Sequence, residues 1–271
     1  MKKYILFFIL LTLAVSAWKA CNRVPITGRK QVNLVKDSEI NSLSESEYKK
    51  FLSENKVIRS GRDAERIKLI GQKIADAVTL YYKKNNLESE LSNFSWEFNL
   101  VDDNTVNAWC MPGGKVVFYT GILPICEDDN GIAVVMGHEV AHAVAKHGNE
   151  RMSQGLLAQF GGAALSVALT GQNQATQELF MTAYGVGANV GLLLPFSRKH
   201  ESEADKLGLV FMTMAGFNPE KAPEFWTRMA GGKGGNAPPE FLSTHPSNET
   251  RIKDLTGYIP VARQLSDQYR N

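Results

Sequence analysis

Residues 138–142 read His-Glu-Val-Ala-His and lie within residues 132–145, a segment in which almost every other residue is apolar. A helix that is apolar on all sides is buried, so the rest of the fold must cover it from every direction. His138 and His142 lie one turn apart on one face of this helix, where their imidazoles can converge on one metal ion. Glu139 lies about 100° round the helix, within reach of a water beside the metal. Because burying these groups without partners is costly, the segment predicts a zinc site with a general base beside it.

The composition is that of an ordinary globular protein. The chain has 271 residues, of which 44% are hydrophobic and 21% charged, which is enough apolar mass for one full core. The net charge of +2 and the lack of a basic run argue against nucleic acid as a partner. We predict a leader over residues 1–21, one folded domain that contains the zinc site over residues 22–258, and a polar C-terminal tail over residues 259–271.

The N-terminus has the pattern of an export signal. Two lysines at residues 2–3 precede an apolar stretch over residues 4–15, which is shorter than the roughly 20 residues of a membrane-spanning helix. Cys21 follows Ala20, which suggests a lipoprotein with an acylated first residue; plain cleavage after Ala17 is the competing interpretation. We therefore predict a bacterial periplasmic protein, or an outer-membrane lipoprotein whose membrane association is through a lipid on Cys21.

Export would determine the redox environment of the other two cysteines, Cys110 and Cys126. In an oxidising compartment two remaining thiols tend to form a disulfide. The alternative is a pair of buried free thiols, and the sequence does not decide between them.

Periodicity and turn residues predict a mixture of helices and short strands. The segment over residues 154–194 is rich in apolar residues, Gly and Ala, and we expect two packed helices there rather than a membrane span. Asp128 and its neighbours offer caps for the start of the apolar helix, and Gly148 is its expected end. The remaining expectations are a hairpin over 24–35 turning at 27–28, helices over 38–55 and 63–84, a strand over 94–101, a hairpin over 106–120 turning at 112–114, helices over 197–215 and 219–229, a loop over 231–239 and a short helix over 248–255.

A catalytic zinc ion normally has three protein ligands. Glu201 and Asp205 are four residues apart and share one helix face, so one carboxylate can bind metal while the other supports an imidazole. The alternative is a row of surface ion pairs. Glu203 lies on another face and is expected to be solvated. Of the remaining histidines, we expect His147 at the end of the apolar helix, pointing away from the metal, and His200 at the surface.

An ordered set of segments resembles the CAAX-prenyl-protease and HtpX-type family of zinc metallopeptidases. Two of the segments, at residues 24–35 and 107–123, resemble its exported bacterial branch, the LoiP and BepA-like proteases. The segments are VPITGRKQVNLV, NAWCMPGGKVVFYTGIL, HEVAH, SRKHESEADKLG and STHPSNETRI, and together they extend from Val24 to Ile252.

The resemblance implies a site and a fold. His138, His142 and Glu201 are the implied ligands of one zinc ion per chain, with Glu139 as general base and Asp205 as the carboxylate behind a ligand histidine. The implied fold is α+β, a mainly helical zincin-like (gluzincin) domain with a small β-sheet beside the active-site helix.

His245 is the remaining histidine, and in the family this segment lies near the metal. It can stabilise the oxyanion, occupy the open metal position and hold the enzyme off, or be an ordinary residue at a helix start. Arg251 is a weaker candidate, because it is equally well explained by a structural ion pair.

The predicted function is zinc-dependent endopeptidase activity on misfolded or misassembled envelope proteins. Zinc supplies acidity to water and polarises the scissile carbonyl, and Glu139 transfers the proton. The substrate is expected to pair with the edge of the hairpin at residues 107–109. A second hypothesis is an envelope assembly factor or chaperone-like binding protein with a mostly latent zinc site. A third is a zinc hydrolase acting on non-peptide bonds.

Overall fold

The computed structural model describes residues 21–24, 26–160, 174–184, 197–231, 241–242, 245 and 249–270. They form a mainly helical fold around a small mixed sheet, which is the predicted α+β class. The elements are β1 (Cys21–Arg23), β2 (Lys30–Val32), α1 (Asp37–Glu54), β3 (Val57–Ile58), α2 (Arg62–Lys84), β4 (Glu97–Val101), β5 (Ala108–Met111), β6 (Lys115–Tyr119), α3 (Leu123–Cys126), α4 (Asp129–Val144), α5 (His147–Phe160), α6 (Gln174–Tyr184), α7 (Arg198–Met214), α8 (Lys221–Ala230) and α9 (Glu249–Arg270).

The main sheet has the strand order β3-β4-β6-β5, with β4 and β6 parallel and the other pairs antiparallel. Residues on β5 and β6 alternate between two apolar clusters, as the period of a strand requires. One set, including Cys110 and Phe118, packs in the core that contains α4. The other set, including Trp109 and Val117, packs with residues of α1, α5 and α6. The sheet therefore separates the two cores and places β5 at its edge beside α4.

Helix α4 begins where the sequence predicts, because the Asp128 carboxylate accepts a hydrogen bond from the backbone N–H of Gly131 at 2.9 Å. Its predicted end at Gly148 is wrong. The helix stops at Val144, Lys146 takes a φ of +57°, and α5 begins at the next residue. Ion pairs to two distant carboxylates, at 2.7 and 2.8 Å, hold Lys146 in this left-handed conformation.

Helices α4 and α7 cross at two glycines. A Cβ atom built on Gly208 would lie 2.8 Å from the backbone carbon of Gly137 and 2.8 Å from the backbone nitrogen of His138. Only glycine at this crossing lets the two backbones approach so closely. The close approach brings residues 138–142 of α4 opposite residues 201–205 of α7.

The N-terminal hairpin (β1, β2 and the turn between them) has the predicted turn, with Gly28 at a φ of +66°, but its first strand, Cys21–Arg23, lies before the predicted residues 24–35. The final helix is longer than predicted, because α9 continues to Arg270 across the expected polar tail, and Tyr269 packs on Tyr81 with ring centroids 5.0 Å apart. Cys110 and Cys126 are buried free thiols, so no disulfide joins them.

Parts of several predictions lie outside the described residues. They are the leader over residues 1–20, the connection over residues 161–173, residues 185–196, and residues 232–239 of the predicted loop. Among the described residues, no helix combines the length and the apolar character that crossing a membrane requires.

Candidate metal centre

Four buried side chains bring potential metal donors together: His138, His142, Glu201 and His245, whose donor atoms all lie within 4.8 Å of one another. The Nε2 atoms of His138 and His142 are 3.1 Å apart. Glu201 Oε1 lies 3.3 Å from His142 Nε2, and Glu201 Oε2 lies 3.5 Å from His138 Nε2. His245 Nδ1 is 3.2 Å from His138 Nε2 and 3.0 Å from Glu201 Oε1.

The spacing of these atoms fits zinc. Nitrogen and oxygen ligands at about 2.0–2.1 Å in a tetrahedron are separated by roughly 3.3 Å. The separations given above, from 3.0 to 3.5 Å, bracket that value. In addition, Glu139 Oε1 is buried and receives no hydrogen bond from the described part of the chain. The His245 Nε2 atom lies 3.6 Å from it. A buried carboxylate oxygen in this state points to a ligand or substrate atom beside it.

We call the cluster of His138, His142, Glu201 and His245 the cage. A second group of side chains holds the cage from outside. Asp205 Oδ1 lies 3.0 Å from His138 Nδ1, on the side of the ring away from the other donors. Arg251 donates two hydrogen bonds of 2.7 Å to Asp205, from Nε and Nη2, and its Nη1 lies 3.0 Å from Glu201 Oε2. The Arg251 guanidinium also stacks 3.3 Å above the Trp226 ring. Arg251 of α9 therefore fixes both carboxylates of α7.

Burial and neighbouring charges adjust the ionisation of these groups. Burial raises the pKa of Glu139, which brings the carboxylate toward the range of a general base. Burial would also raise the pKa of Glu201, but His245 and Arg251 outweigh it and hold that pKa well below its usual value. Burial holds the pKa of His142 well below normal, which favours the neutral imidazole that metal binding requires. For His138, burial opposes protonation, but Asp205 and Glu201 prevail and raise the pKa to about 9.

Three further side chains, those of His147, His200 and Glu203, lie buried behind the donors. From the sequence we expected them at a helix end, at the surface and in solvent, respectively. His147 is completely buried, with Nδ1 3.0 Å from His142 Nδ1 and Nε2 2.9 Å from Glu203 Oε2. Glu203 and His200 are also buried, and His200 Nε2 lies 3.0 Å from Glu150. The predictions of a solvated Glu203, a surface His200 and a helix-end His147 are therefore wrong, although His147 is outside the donor cluster as expected. The apolar second half of α7 was the available signal, because it indicates a helix covered on all sides.

The cause is the N-terminal hairpin, which covers this side of α7. The Arg29 Nε atom donates to Glu203 at 2.7 Å, and its Nη1 and Nη2 atoms donate to Glu150 at 3.0 and 2.7 Å. Thr27 also donates to Glu203. Burial alone would raise the pKa of Glu203, but the hydrogen bonds from His147, Thr27 and Arg29 lower it to about 2. Burial lowers the pKa of His147 to about 4, so its imidazole is neutral.

A buried helix with two histidines and an adjacent glutamate, crossed by a second helix with a carboxylate donor, defines the class of gluzincin metallopeptidases. The chain belongs to peptidase family M48, whose family model matches residues 63–259. The metallopeptidase class and the family to which the sequence segments pointed are thereby confirmed.

The chain is also similar in sequence to individual metallopeptidases. The chain is 36% identical to the mitochondrial metalloendopeptidase OMA1 of Schizosaccharomyces pombe, over 91% of its own length and 69% of the relative. It is 36% identical to the protein of the same name from Saccharomyces cerevisiae, over 75% of its own length and 58% of the relative. Identity to the beta-barrel assembly-enhancing protease of Escherichia coli is 27%, over 65% of the chain and 35% of the relative.

These relatives correct one prediction. The expected location in a bacterial periplasm or outer membrane, anchored through Cys21, is wrong, because the relatives at 36% identity are named as mitochondrial proteins. The assignment to the LoiP and BepA-like branch is not confirmed either, since the bacterial relative matches at only 27% identity.

Proposed function

We propose that the chain is a zinc-dependent endopeptidase that cleaves unfolded or misassembled polypeptides. The observation that carries the proposal is Glu139, whose buried Oε1 atom receives no hydrogen bond from the described residues, beside a cluster of potential metal donors at tetrahedral spacing. His138, His142 and Glu201 are the proposed protein ligands of one zinc ion. Zinc bound there supplies Lewis acidity, which makes water easier to deprotonate and polarises the scissile carbonyl.

The residues of the chain carry out the proton transfers. Glu139, with its raised pKa, takes the proton of the attacking water and passes it to the leaving amine. Asp205 holds His138 through Nδ1, which keeps Nε2 directed at the cage. Arg251 keeps Asp205 and Glu201 in place, and together with His245 it holds the pKa of Glu201 well below its usual value against the effect of burial.

His245 supports a latent state of the same enzyme. As described, it supplies a fourth donor, and a cage closed by four protein donors is typical of structural rather than catalytic zinc. We propose that His245 has to leave the cage before a substrate carbonyl can enter. His245→Ala should then raise peptide turnover, whereas a role in oxyanion stabilisation predicts a fall; unchanged turnover would remove both roles.

The edge of the sheet supports the proposed mode of substrate binding. Strand β5 ends the strand order and lies beside α4, so its outer edge can pair with an extended peptide. Pairing through the main chain does not depend on side-chain sequence, which suits unfolded substrates. Proline substitutions at residues 107–109, which remove a backbone N–H from this edge, should raise the KM for peptides, and cleavage that stays unaffected would count against this mode.

The deciding experiment compares wild type with Glu139→Gln. We expect the variant to retain zinc and lose cleavage of casein, with wild-type cleavage inhibited by phenanthroline. Casein left intact by zinc-loaded wild type would refute the endopeptidase and favour the non-peptide hydrolase. Because His245 closes the cage, a second candidate function is an assembly factor with a latent zinc site. That candidate is favoured if the function in cells survives Glu139→Gln.

A further inference from the structure

A line of polar side chains, part-buried at its start and buried at its end, runs from the N-terminal hairpin to the back of one donor histidine. It consists of Arg29, Glu203 and His147, which we call the relay, and it ends at His142. The three contacts are 2.7 Å from Arg29 Nε to Glu203 Oε2, 2.9 Å from Glu203 Oε2 to His147 Nε2, and 3.0 Å from His147 Nδ1 to His142 Nδ1.

The hydrogen atoms along this line have one consistent assignment. His142 directs Nε2 at the other donors, so a neutral ring that binds metal through Nε2 carries its hydrogen on Nδ1. That hydrogen needs an acceptor, and the facing atom is His147 Nδ1. His147 can accept there only if its own hydrogen is on Nε2, where the Glu203 carboxylate accepts it. Arg29 completes the line by donating to the same carboxylate.

We infer that the relay is a positioning device for His142, and that the N-terminal hairpin is therefore part of the metal site. The inference rests on the proposed role of His142 as a zinc ligand. Asp205 supports His138 in the same way from the other side, so each histidine of the motif has its own carboxylate, one directly and one through His147. Partners of this kind fix the ring and its tautomer and typically contribute 10–100-fold to metal affinity.

The molecule contains a matched control for the relay. Arg29 also binds Glu150, and Glu150 contacts His200 at 3.0 Å, close to the 2.9 Å between Glu203 and His147. Burial alone would raise the pKa of Glu150, but hydrogen bonds from His200 and Arg29 lower it to about 2, as for Glu203. The Glu203–His147 pair and the Glu150–His200 pair differ in their distance from the donors. His147 contacts the Nδ1 atom of His142, whereas His200 only stacks on His147, with ring centroids 4.6 Å apart.

The test measures zinc affinity of the full chain by competition with a chelator, together with the visible spectrum of the Co²⁺-substituted protein and the thermal midpoint. We expect Glu203→Gln to weaken zinc binding by about 10–100-fold and to alter the Co²⁺ spectrum. Glu150→Gln should lower the thermal midpoint by a similar amount but leave affinity and spectrum unchanged. His147→Phe should behave like Glu203→Gln, and His147→Gln should recover part of the affinity, because an amide can accept from His142 and donate to Glu203.

Arg29 tests the involvement of the hairpin itself. Arg66 is its control, because it also bridges two carboxylates, Asp63 and Asp129, and its side chain is 23% exposed against 24% for Arg29. We expect Arg29→Met to weaken zinc binding and Arg66→Met to leave it unchanged.

The outcomes separate the inference from the function on which it rests. Wild-type protein that takes up no zinc refutes the proposed function. Wild-type protein that binds zinc, with Glu203→Gln and Arg29→Met matching its affinity and Co²⁺ spectrum, overturns the relay alone. Equal losses of affinity in Glu203→Gln and Glu150→Gln also overturn it, since they indicate general loosening of the fold. Because these carboxylate variants are isosteric, they decide the question even if His147→Phe does not fold.

Discussion

The close crossing of α4 and α7 at Gly137 and Gly208 sets the distances between the donors of the cage, and a substitution at Gly208 tests this quantitatively. In Gly208→Ala the new Cβ would lie 2.8 Å from backbone atoms of α4, and ordinary contact begins at 3.4 Å, so the helices must separate by about 0.6 Å. Overpacking of this kind costs about 1–3 kcal/mol, and the helical preference of Ala over Gly offsets about 0.5–1 kcal/mol. We expect the free energy of unfolding to fall by about 1–2 kcal/mol.

The separation also acts on the metal site, because its donors come from both helices. The 3.0 Å contact between His138 and Asp205 and the 3.5 Å contact between His138 and Glu201 would lengthen by a similar amount. A misplacement of about 1 Å can reduce catalysis about 100-fold, so roughly half that distance should cost on the order of tenfold in kcat/KM. Zinc affinity should fall in parallel.

The assays are urea denaturation, chelator competition and peptide cleavage, with two glycine controls. Gly257→Ala on α9 meets no atom within 4 Å and should stabilise the protein by about 0.5–1 kcal/mol without affecting the site. Gly71→Ala would place its Cβ 2.3 Å from the Phe98 ring and should destabilise the protein while leaving zinc affinity unchanged. If Gly208→Ala loses stability but binds zinc and cleaves peptides as wild type does, the reasoning is refuted.

Three further predictions concern charge. Burial alone would raise the pKa of Glu203, but hydrogen bonds lower it to about 2. The contribution of Glu203 to the free energy of unfolding should therefore be complete above about pH 4.5 and disappear toward pH 2. Urea denaturation measured as a function of pH should show this loss of stability in acid for wild type and not for Glu203→Gln. The proton on His138, whose pKa is about 9, competes with the metal, so zinc affinity should rise with pH up to about 9, with proton release measurable by calorimetry. Arg251→Met leaves two buried carboxylates without their cation, and denaturation should show a loss of about 3–5 kcal/mol.

The sequence predicted the part of the site that depends on local geometry. The spacing of His138 and His142 determines a shared face on any helix, and the spacing of Glu201 and Asp205 does the same on α7. The resemblance added the pairing of the two helices. It also placed His245 near the metal, where it lies 3.0 Å from Glu201.

The other side of the site depends on contacts that no local pattern encodes. Glu203 looked solvated because its helix face was judged against the metal alone, whereas its ion pair with Arg29 joins residues 174 positions apart. The end of α4 was misplaced for a similar reason. Lysine does not favour positive φ, and Lys146 adopts it with carboxylates from residues 37 and 90 holding its ammonium group.

The balance of buried charges in the metal site affects the stability of the fold as well as its chemistry. Three buried carboxylates lie in this cluster, those of Glu139, Glu201 and Asp205, and the Arg251 guanidinium is the cation that contacts two of them directly. With neutral histidines the cluster has an excess of two negative charges, and a divalent cation cancels it. A proton on His138 removes one of them, which agrees with the pKa of about 9 to which Asp205 and Glu201 raise it against the effect of burial. Because unpaired buried charge is costly, we expect a bound divalent cation to stabilise the fold, and α4, whose residues 131–144 are buried, to lose stability when that cation is removed.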